Sequence, residues 1–197
     1  MKTKTRLKRK LVFFATANVH KFNEARRILA EFGIATVMIN IKGVEIQDTD
    51  IERIAKTSAL DAAKKCSLPL FVEDAGLFIK ALNGFPGPYS SYVYKTLGTR
   101  GILKLMENVE DRAAEFRSVV AYYEPEGGML KTFQGKAEGK IAEEPRGTSG
   151  FGFDPIFQPV EAEGGRTFAE MSTEEKNRYS HRARALRSFA EWFLHRG

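Results

Sequence analysis

The first part of the chain alternates between short apolar runs and stretches in which apolar side chains recur with helical spacing. The apolar runs that predict buried β-strands are residues 11–17, 35–41 and 70–72. Between the first two, apolar side chains in residues 25–32 occupy the i, i+3, i+4 and i+7 positions of a helix, and Gly33 is suited to end it. This βαβαβ order predicts an α/β fold with at least some parallel strands.

Further elements are predicted from turn and capping signals. Thr49 and Glu52 have the spacing of a capping box, which predicts that a second helix begins there. A turn-rich loop, a short helix and a long hairpin are expected at residues 83–88, 102–106 and 113–141 respectively. We expect the hairpin to extend or curl the sheet, so that a second lobe and a cleft form.

The composition is that of an ordinary folded domain with a local excess of positive charge. The 197 residues, 43% of them hydrophobic, are sufficient for a single two-lobed α/β domain over residues 11–197. The net charge of +6 comes partly from a basic N-terminal tail, residues 1–10. Such a tail is usually a solvated chain end and only sometimes a nucleic-acid arm.

The start of the chain also imitates a signal peptide, because a small-residue triplet at 15–17 follows the basic tail and an apolar run. That run is at the short extreme for a signal peptide, and cleavage would remove a segment with predicted function, so we reject this reading. The one cysteine, Cys66, excludes an intrachain disulfide and fits a reducing compartment. No apolar run approaches transmembrane length. We therefore expect a cytoplasmic protein without a membrane partner.

Two adjacent acids, Glu73 and Asp74, follow the third apolar run directly, where we expect the strand to end. Adjacent carboxylates repel each other and resist burial unless positive charge lies beside them. Glu45 follows the second strand, and ligands gather beyond the carboxyl ends of the strands in α/β sheets. The three acids are therefore candidates to bind Mg²⁺, with one of them activating water. The alternative is that Glu73 and Asp74 cap a turn and Glu45 is a solvated loop acid.

A candidate phosphate site lies where the first strand gives way to the first helix. Unpaired N–H groups at a helix N-terminus favour anions, and a lysine one turn into the helix reaches phosphate oxygens. As a bare pattern the segment is also compatible with an ordinary asparagine cap followed by a surface lysine. Its residues are Thr16, Ala17, Asn18, Val19, His20 and Lys21.

Two later segments are candidates for recognising a planar base. Phe151 and Phe153 are separated by Gly152 and followed by Asp154, so the aromatic rings can stack on a base while the acid binds its edge. The alternative is a hydrophobic loop that packs into the core, and Phe153 suits that role. The second segment is residues 172–182, for which the alternative to base recognition is an ordinary charged helix face.

The spacing within this second segment favours a helix break. Lys176 and His181 lie roughly 140° apart on an ideal helix of about 3.6 residues per turn, so one continuous helix would not direct both at one ligand. A break near Ser180, with that serine capping a second helix, would place His181 and Arg182 in the first turn.

In this order, the segments resemble the inosine/xanthosine triphosphate pyrophosphatases. The motifs are Thr-x-Asn-x-x-Lys at 16–21, Glu-Asp at 73–74, Leu-Asn-Gly-Phe-Pro-Gly at 82–87, Gly-Phe-Gly-Phe-Asp-Pro at 150–155, and Thr-Phe-Ala-Glu-Met…Glu-Lys-Asn…Ser-His-Arg at 167–182. The resemblance covers the chain from Leu11 to the final helix. It implies hydrolysis of ITP, dITP and XTP to the monophosphate and pyrophosphate, an elongated two-lobed α/β fold, a Mg²⁺ requirement and a homodimer.

The resemblance also implies roles for individual residues. Those that would bind phosphates are Thr16, Asn18 and Lys21. Those that would bind the metal are Glu45 and Asp74, with Glu73 close by. Asp74 would also act as the general base on the attacking water. Those that would line the base pocket are Phe151, Asp154, Lys176, His181 and Arg182. The chain has Ala17 where the family commonly has Gly or Ser, and Ala75 where a hydroxyl is common, which limits residue 75 to a contact through its backbone N–H.

Selectivity for the base is expected from complementary hydrogen bonds. Hypoxanthine and xanthine present a 6-keto acceptor and an N1–H donor, which match Asp154 as acceptor and His181 or Arg182 as donor. Adenine would leave these buried groups unpaired. Two alternatives remain open at this point: a Maf-like pyrophosphatase acting on other modified nucleotides, and a non-catalytic nucleic-acid binder. The second gives no reason for the three acids to converge, so no stable nucleic-acid partner is expected.

Overall fold

A computed structural model of the protein describes residues 10–196, which include seven strands and six α-helices. The strands are β1 (Leu11–Ala15), β2 (Ala35–Ile39), β3 (Leu70–Ile79), β4 (Pro86–Gly87), β5 (Ala113–Glu124), β6 (Met129–Ile141) and β7 (Phe157–Pro159). The helices are α1 (Val19–Glu31), α2 (Ile51–Cys66), α3 (Ser90–Thr96), α4 (Gly98–Leu105), α5 (Thr173–Tyr179) and α6 (His181–His195). Apart from Lys10, the basic tail predicted at residues 1–10 lies outside the described residues.

The strands form one mixed sheet with the order β2-β1-β3-β5-β6-β7, and β4 pairs with β3. The central strand of the N-terminal βαβαβ segment, β1, is parallel to both β2 and β3. The additional strands β4 and β7 run antiparallel to β3 and β6. The predicted α/β class with a mixed sheet is therefore confirmed, and so is the hairpin, whose strands are β5 and β6.

The junction between β1 and α1 follows from local backbone chemistry. The predicted strand ends two residues early, at Ala15, because Asn18 already caps the helix: its side chain accepts a hydrogen bond from the Lys21 backbone N–H at 3.0 Å. At the other end of α1, Gly33 adopts a φ of +69°, the left-handed conformation that favours glycine after a helix.

Two predictions about α2 and β3 were wrong. The cap of α2 is Asp50 rather than Thr49, since the Asp50 side chain accepts from the Glu52 backbone N–H at 2.8 Å. The strand predicted to end before the two acids instead runs through Glu73 and Asp74 to Ile79. A strand can carry both acids because the positive charges of Lys21 and Arg182 compensate the buried Glu73 carboxylate. The helix predicted at 102–106 is found as α4, whereas α3 was not predicted.

The described residues divide into two compact units, each with its own hydrophobic core. Unit 1 comprises residues 10–74, 118–135 and 182–196, and unit 2 comprises residues 75–117 and 136–181. The core of unit 1 packs side chains of β1, α1 and α6, with Phe14 stacked on Phe71 at a centroid distance of 4.3 Å. The core of unit 2 includes Leu77, Phe116 and Phe157. The predicted cleft between lobes stays a prediction.

None of the helices within residues 10–196 is both long enough and apolar enough to cross a bilayer.

Candidate active site

The N-terminus of α1 in unit 1 has the geometry of an anion site. The Thr16 hydroxyl accepts from the Asn18 N–H at 3.1 Å, and the Asn18 side chain accepts from the Lys21 N–H. These bonds hold the turn, and the next N–H groups, those of Val19 and His20, lie in the first turn of the helix. The positive end of the helix dipole adds to their attraction for phosphate.

The lysine of this turn is held by a buried acid. Lys21 Nζ lies 2.9 Å from Glu73 Oε2 and donates at 2.9 Å to the Glu73 carbonyl oxygen. The Glu73 side chain is fully buried, whereas the Lys21 side chain is 19% exposed. An ammonium group has three N–H donors, so the two contacts to Glu73 leave a third for a ligand oxygen.

Glu73 is the centre of a larger charged network. Its Oε1 lies 3.1 Å from Arg182 Nε and accepts from the Ser118 hydroxyl at 2.5 Å. Burial alone would raise the pKa of Glu73, but the charges of Arg182 and Lys21 and the Ser118 hydrogen bond hold that pKa far below its usual range. Glu73 is therefore a carboxylate that cations and a hydroxyl keep ionised inside the protein.

Sequence reasoning missed two members of this network, Ser118 and Glu24. Arg182 Nη1 donates to Glu24 Oε2 at 2.6 Å, and both side chains are almost fully buried. Burial would lower the pKa of Arg182, but the charges of Glu73 and Glu24 raise it. Arg182, predicted from the sequence to contact the base, is thus held in unit 1 between two carboxylates. No sequence signal could have paired residues 24 and 182, which are distant in the chain.

Asp74 differs from its neighbour in environment. Burial raises the pKa of Asp74 to about 6; of the nearby charges, that of Lys21 lowers the pKa, and those of Glu73 and Glu45 raise it. A pKa near 6 leaves the carboxylate mostly ionised at pH 7 and able to accept a proton. Glu45, another predicted metal ligand, is thus near enough for its charge to raise the pKa of Asp74.

The loop that carries Glu45 is fixed against α2. A side chain at Gly43 would place its Cβ 2.3 Å from the Ser58 carbonyl oxygen, so only glycine fits this approach. The adjacent Val44 N–H donates to Asp61 Oδ2 at 3.0 Å. Although the Glu45 side chain is 62% exposed, its backbone therefore follows a defined path.

The acidic residues beside the α1 turn form a donor set that suits Mg²⁺ only in part. Within residues 10–196, no three His, Cys, Asp or Glu side chains group as a metal site. Glu73 is directed at cations, which leaves Glu45 and Asp74 as the carboxylates available to an ion. Mg²⁺ is commonly bound by one or two carboxylates together with waters and substrate phosphates, so this pair fits the ion.

A second set of predicted site residues lies in unit 2, around Asp154. Lys176 Nζ donates to Asp154 Oδ2 at 2.6 Å, and both side chains are 3% exposed. The same Oδ2 accepts from the Phe151 N–H at 2.8 Å, and the Lys176 ammonium lies 4.9 Å from the Phe151 ring centre. Gly150 has a φ of +74°, and a Cβ there would lie 2.2 Å from Asp154 Oδ2. The loop thus closes tightly over the acid.

The other residues of these two segments are placed as follows. Phe153 is buried in the core of unit 2, which is the alternative that the sequence had left open for it. The predicted helix break is confirmed, because α5 ends at Tyr179, Ser180 has extended backbone and α6 begins at His181. The His181 ring is buried and stacks on Phe116 at 4.6 Å with an interplanar angle of 10°.

The remaining predicted residues are Ala17, Ala75 and Gly152. Ala17 is exposed at the turn before α1. Ala75 follows Asp74 within β3 and is half-buried. Gly152 has a φ of +64°, which lets the chain turn between the two phenylalanines.

Comparisons with known proteins place the chain in a family. The model of a family described as the Ham1 family matches residues 12–192. The chain belongs to the Ham1 family. The resemblance to the inosine/xanthosine triphosphate pyrophosphatases is thereby confirmed.

Individual relatives match over most of their length. The chain is 54% identical to a dITP/XTP pyrophosphatase of Methanopyrus kandleri over 182 residues, which are 92% of this chain and 95% of the relative. It is 51% identical to a dITP/XTP pyrophosphatase of Thermococcus kodakarensis, in a match that covers 91% of this chain and 95% of the relative. Among solved structures, a HAM1 protein from Coxiella burnetii aligns with a TM-score of 0.79 at 33% identity, covering 92% of this chain and 96% of that one.

The buried network predicts a pH-dependent loss of stability in Glu73→Gln. At pH 7 we expect the free energy of unfolding to fall by about 3–5 kcal/mol, because the substitution leaves buried Arg182 without one of its carboxylate partners. Because folding lowers the pKa of Glu73, its ionisation stabilises the folded state at pH values above 4.5, the ordinary pKa of a glutamate. This stabilisation is lost progressively as the pH falls below that value. The difference from wild type should therefore shrink below pH 4.5 in urea unfolding experiments.

The matched control is Glu138→Gln, which removes a carboxylate from an exposed ion pair with Lys136. It should change the unfolding free energy by less than about 1 kcal/mol at any of these pH values. Equal effects of the two substitutions at pH 7 would contradict the stabilising role of the network.

Proposed function

We propose that this protein hydrolyses the non-standard purine nucleoside triphosphates ITP, dITP and XTP to the nucleoside monophosphate and pyrophosphate, and so cleanses the nucleotide pool. The observation that carries the proposal is the arrangement in unit 1. The N-terminus of α1 and the Lys21 ammonium lie beside Glu73 and Asp74, so a phosphate site and a candidate base occur together. The dITP/XTP pyrophosphatase names of the relatives support the substrate class.

Phosphate binding is assigned to the first turn of α1. The Thr16 and Asn18 side chains hold the turn, its N–H groups face the anion, and the Lys21 ammonium neutralises phosphate charge. Lysine suits a flexible triphosphate because its charge is compact and its stem adapts to the position of the oxygens.

The chemistry is assigned to Asp74. Hydrolysis breaks the anhydride bond between the α- and β-phosphates as water adds to phosphorus, and Asp74 takes up the proton that the water loses. Glu45 and Asp74 would hold Mg²⁺, with Glu73 close by. When bound, the ion neutralises negative charge on the phosphate oxygens.

Recognition of the base is assigned to residues of unit 2. The buried Asp154 carboxylate accepts hydrogen bonds and suits the N1–H of hypoxanthine or xanthine, while Phe151 offers a ring for stacking. His181 is proposed as the donor to the 6-keto group. For Arg182, the two carboxylates that hold it favour an indirect role in which it orders the start of α6.

We also propose that the enzyme is a cytoplasmic homodimer. The exposed apolar side chains of α3 and its flanks support a self-association surface, with Tyr92 69%, Leu97 49% and Tyr94 43% exposed. Light scattering should give a mass twice the 22.1 kDa of one chain. A mass of one chain at micromolar concentration would contradict the dimer.

Metal dependence and the role of Asp74 are tested together by measuring pyrophosphate release. Wild type should turn over ITP, dITP and XTP with Mg²⁺, and EDTA should abolish this activity. Asp74→Asn should lower kcat by about 10²–10⁴-fold, because the amide accepts no proton from water. Asp111→Asn, a change in an exposed pair with Lys80, should retain wild-type kcat.

Two outcomes would contradict these assignments separately. Full turnover in EDTA would remove the metal from the proposal. Wild-type kcat in a folded Asp74→Asn variant would remove Asp74 as the base. No release of pyrophosphate from any purine triphosphate would overturn the proposed function itself.

Asp154→Ala tests the proposed recognition of the base. We expect kcat/KM for ITP to fall by at least about 100-fold while the low value for ATP hardly changes, because only ITP offers the N1–H donor. Asp111→Ala is the control for an aspartate lost from the surface of unit 2. Proportionate losses for ITP and ATP would show that Asp154 does not select the base.

A further inference from the structure

Ser118 in β5 lies outside every motif of the sequence, but it contacts the centre of the unit 1 network. Its side chain is 1% exposed, and its hydroxyl donates to Glu73 Oε1 at 2.5 Å. Short hydrogen bonds to an ionised carboxylate are among the stronger ones in proteins.

The two carboxylate oxygens of Glu73 have separate partners. Oε1 receives the Ser118 hydroxyl and lies 3.1 Å from Arg182 Nε, whereas Oε2 lies 2.9 Å from Lys21 Nζ. Two partners from different elements fix the rotation of the carboxylate about its terminal bond, which is otherwise a soft torsion. Fixing Oε1 therefore also fixes the direction in which Oε2 holds the lysine.

We propose that Ser118 is a positioning residue for the reaction. Its hydroxyl orients Glu73, and Glu73 in turn holds the Lys21 ammonium against the first turn of α1, where the phosphates bind. The lysine stem has four rotatable bonds, so an ammonium that is not held loses effective concentration at the phosphate. The inference rests on the proposed function, since it takes Lys21 to be the phosphate ligand.

A double-mutant cycle on kcat/KM for XTP tests this route, with single and double variants of Ser118→Ala and Lys21→Ala. Ser118→Ala alone should lower kcat/KM about tenfold, comparable to the loss of one hydrogen bond to a charged group. In the Lys21→Ala background the same substitution should cost less than about twofold, because the group that Ser118 positions is gone. Ser118→Thr, which keeps the hydroxyl, should recover part of the loss only when Lys21 is present.

Ser90→Ala is the matched control. Ser90 is also buried, but its hydroxyl donates to the Gly87 carbonyl oxygen at 2.7 Å and accepts from the Leu77 N–H, all within unit 2. It should lower the melting temperature without changing kcat/KM. If Ser118→Ala does not fold, Ser118→Cys replaces it in the cycle, since a thiol is a weak donor of similar size.

The outcomes separate this inference from the proposed function. Equal fold-losses from Ser118→Ala in both backgrounds, or wild-type kcat/KM in the folded single variant, would overturn the positioning role alone. Wild-type kcat/KM in Lys21→Ala would overturn the phosphate site and this inference with it. Absence of any XTP turnover by the wild-type protein would overturn the proposed function.

Discussion

The buried carboxylate of Glu73 and the charges that surround it are the interaction on which the rest of unit 1 depends. An ionised carboxylate without partners would cost several kcal/mol in this environment, so Lys21, Arg182 and Ser118 must be in place for the chain to fold as it does. These partners come from α1, α6 and β5, and the network therefore joins three elements to β3, although the four share no local sequence. The same contacts present an ammonium group at a helix N-terminus, which links the stability of unit 1 to its proposed chemistry.

Features that depend on neighbouring residues could be predicted from the sequence. The Asn18 cap, the glycine that ends α1, the hairpin and the break at Ser180 all follow from backbone chemistry within a few positions. Parallel pairing among the first strands follows from the order of the elements, because strands joined by crossover helices run in the same direction. The family resemblance rested on the same local motifs.

Features that depend on distant residues could not be predicted. The continuation of β3 past Val72 is allowed by charges from elsewhere in the chain, and a local reading therefore expected the strand to stop at the acids. Glu24 and Ser118 carry no motif, and their importance appears only when folding brings them to Arg182 and Glu73. The sequence predicted Thr49 rather than Asp50 as the cap of α2, because both side chains can cap a helix. Only the backbone conformation distinguishes the two positions.

The position of both acids within one continuous strand restricts how this gene can change. Successive side chains of a strand point to opposite faces, so Glu73 and Asp74 hold different environments only while the register of β3 is kept. Deleting or inserting one codon within this strand would exchange the two faces and direct the wrong acid at the lysine. The number of residues in β3 is therefore fixed, and insertions are expected in turns such as residues 125–128 between β5 and β6.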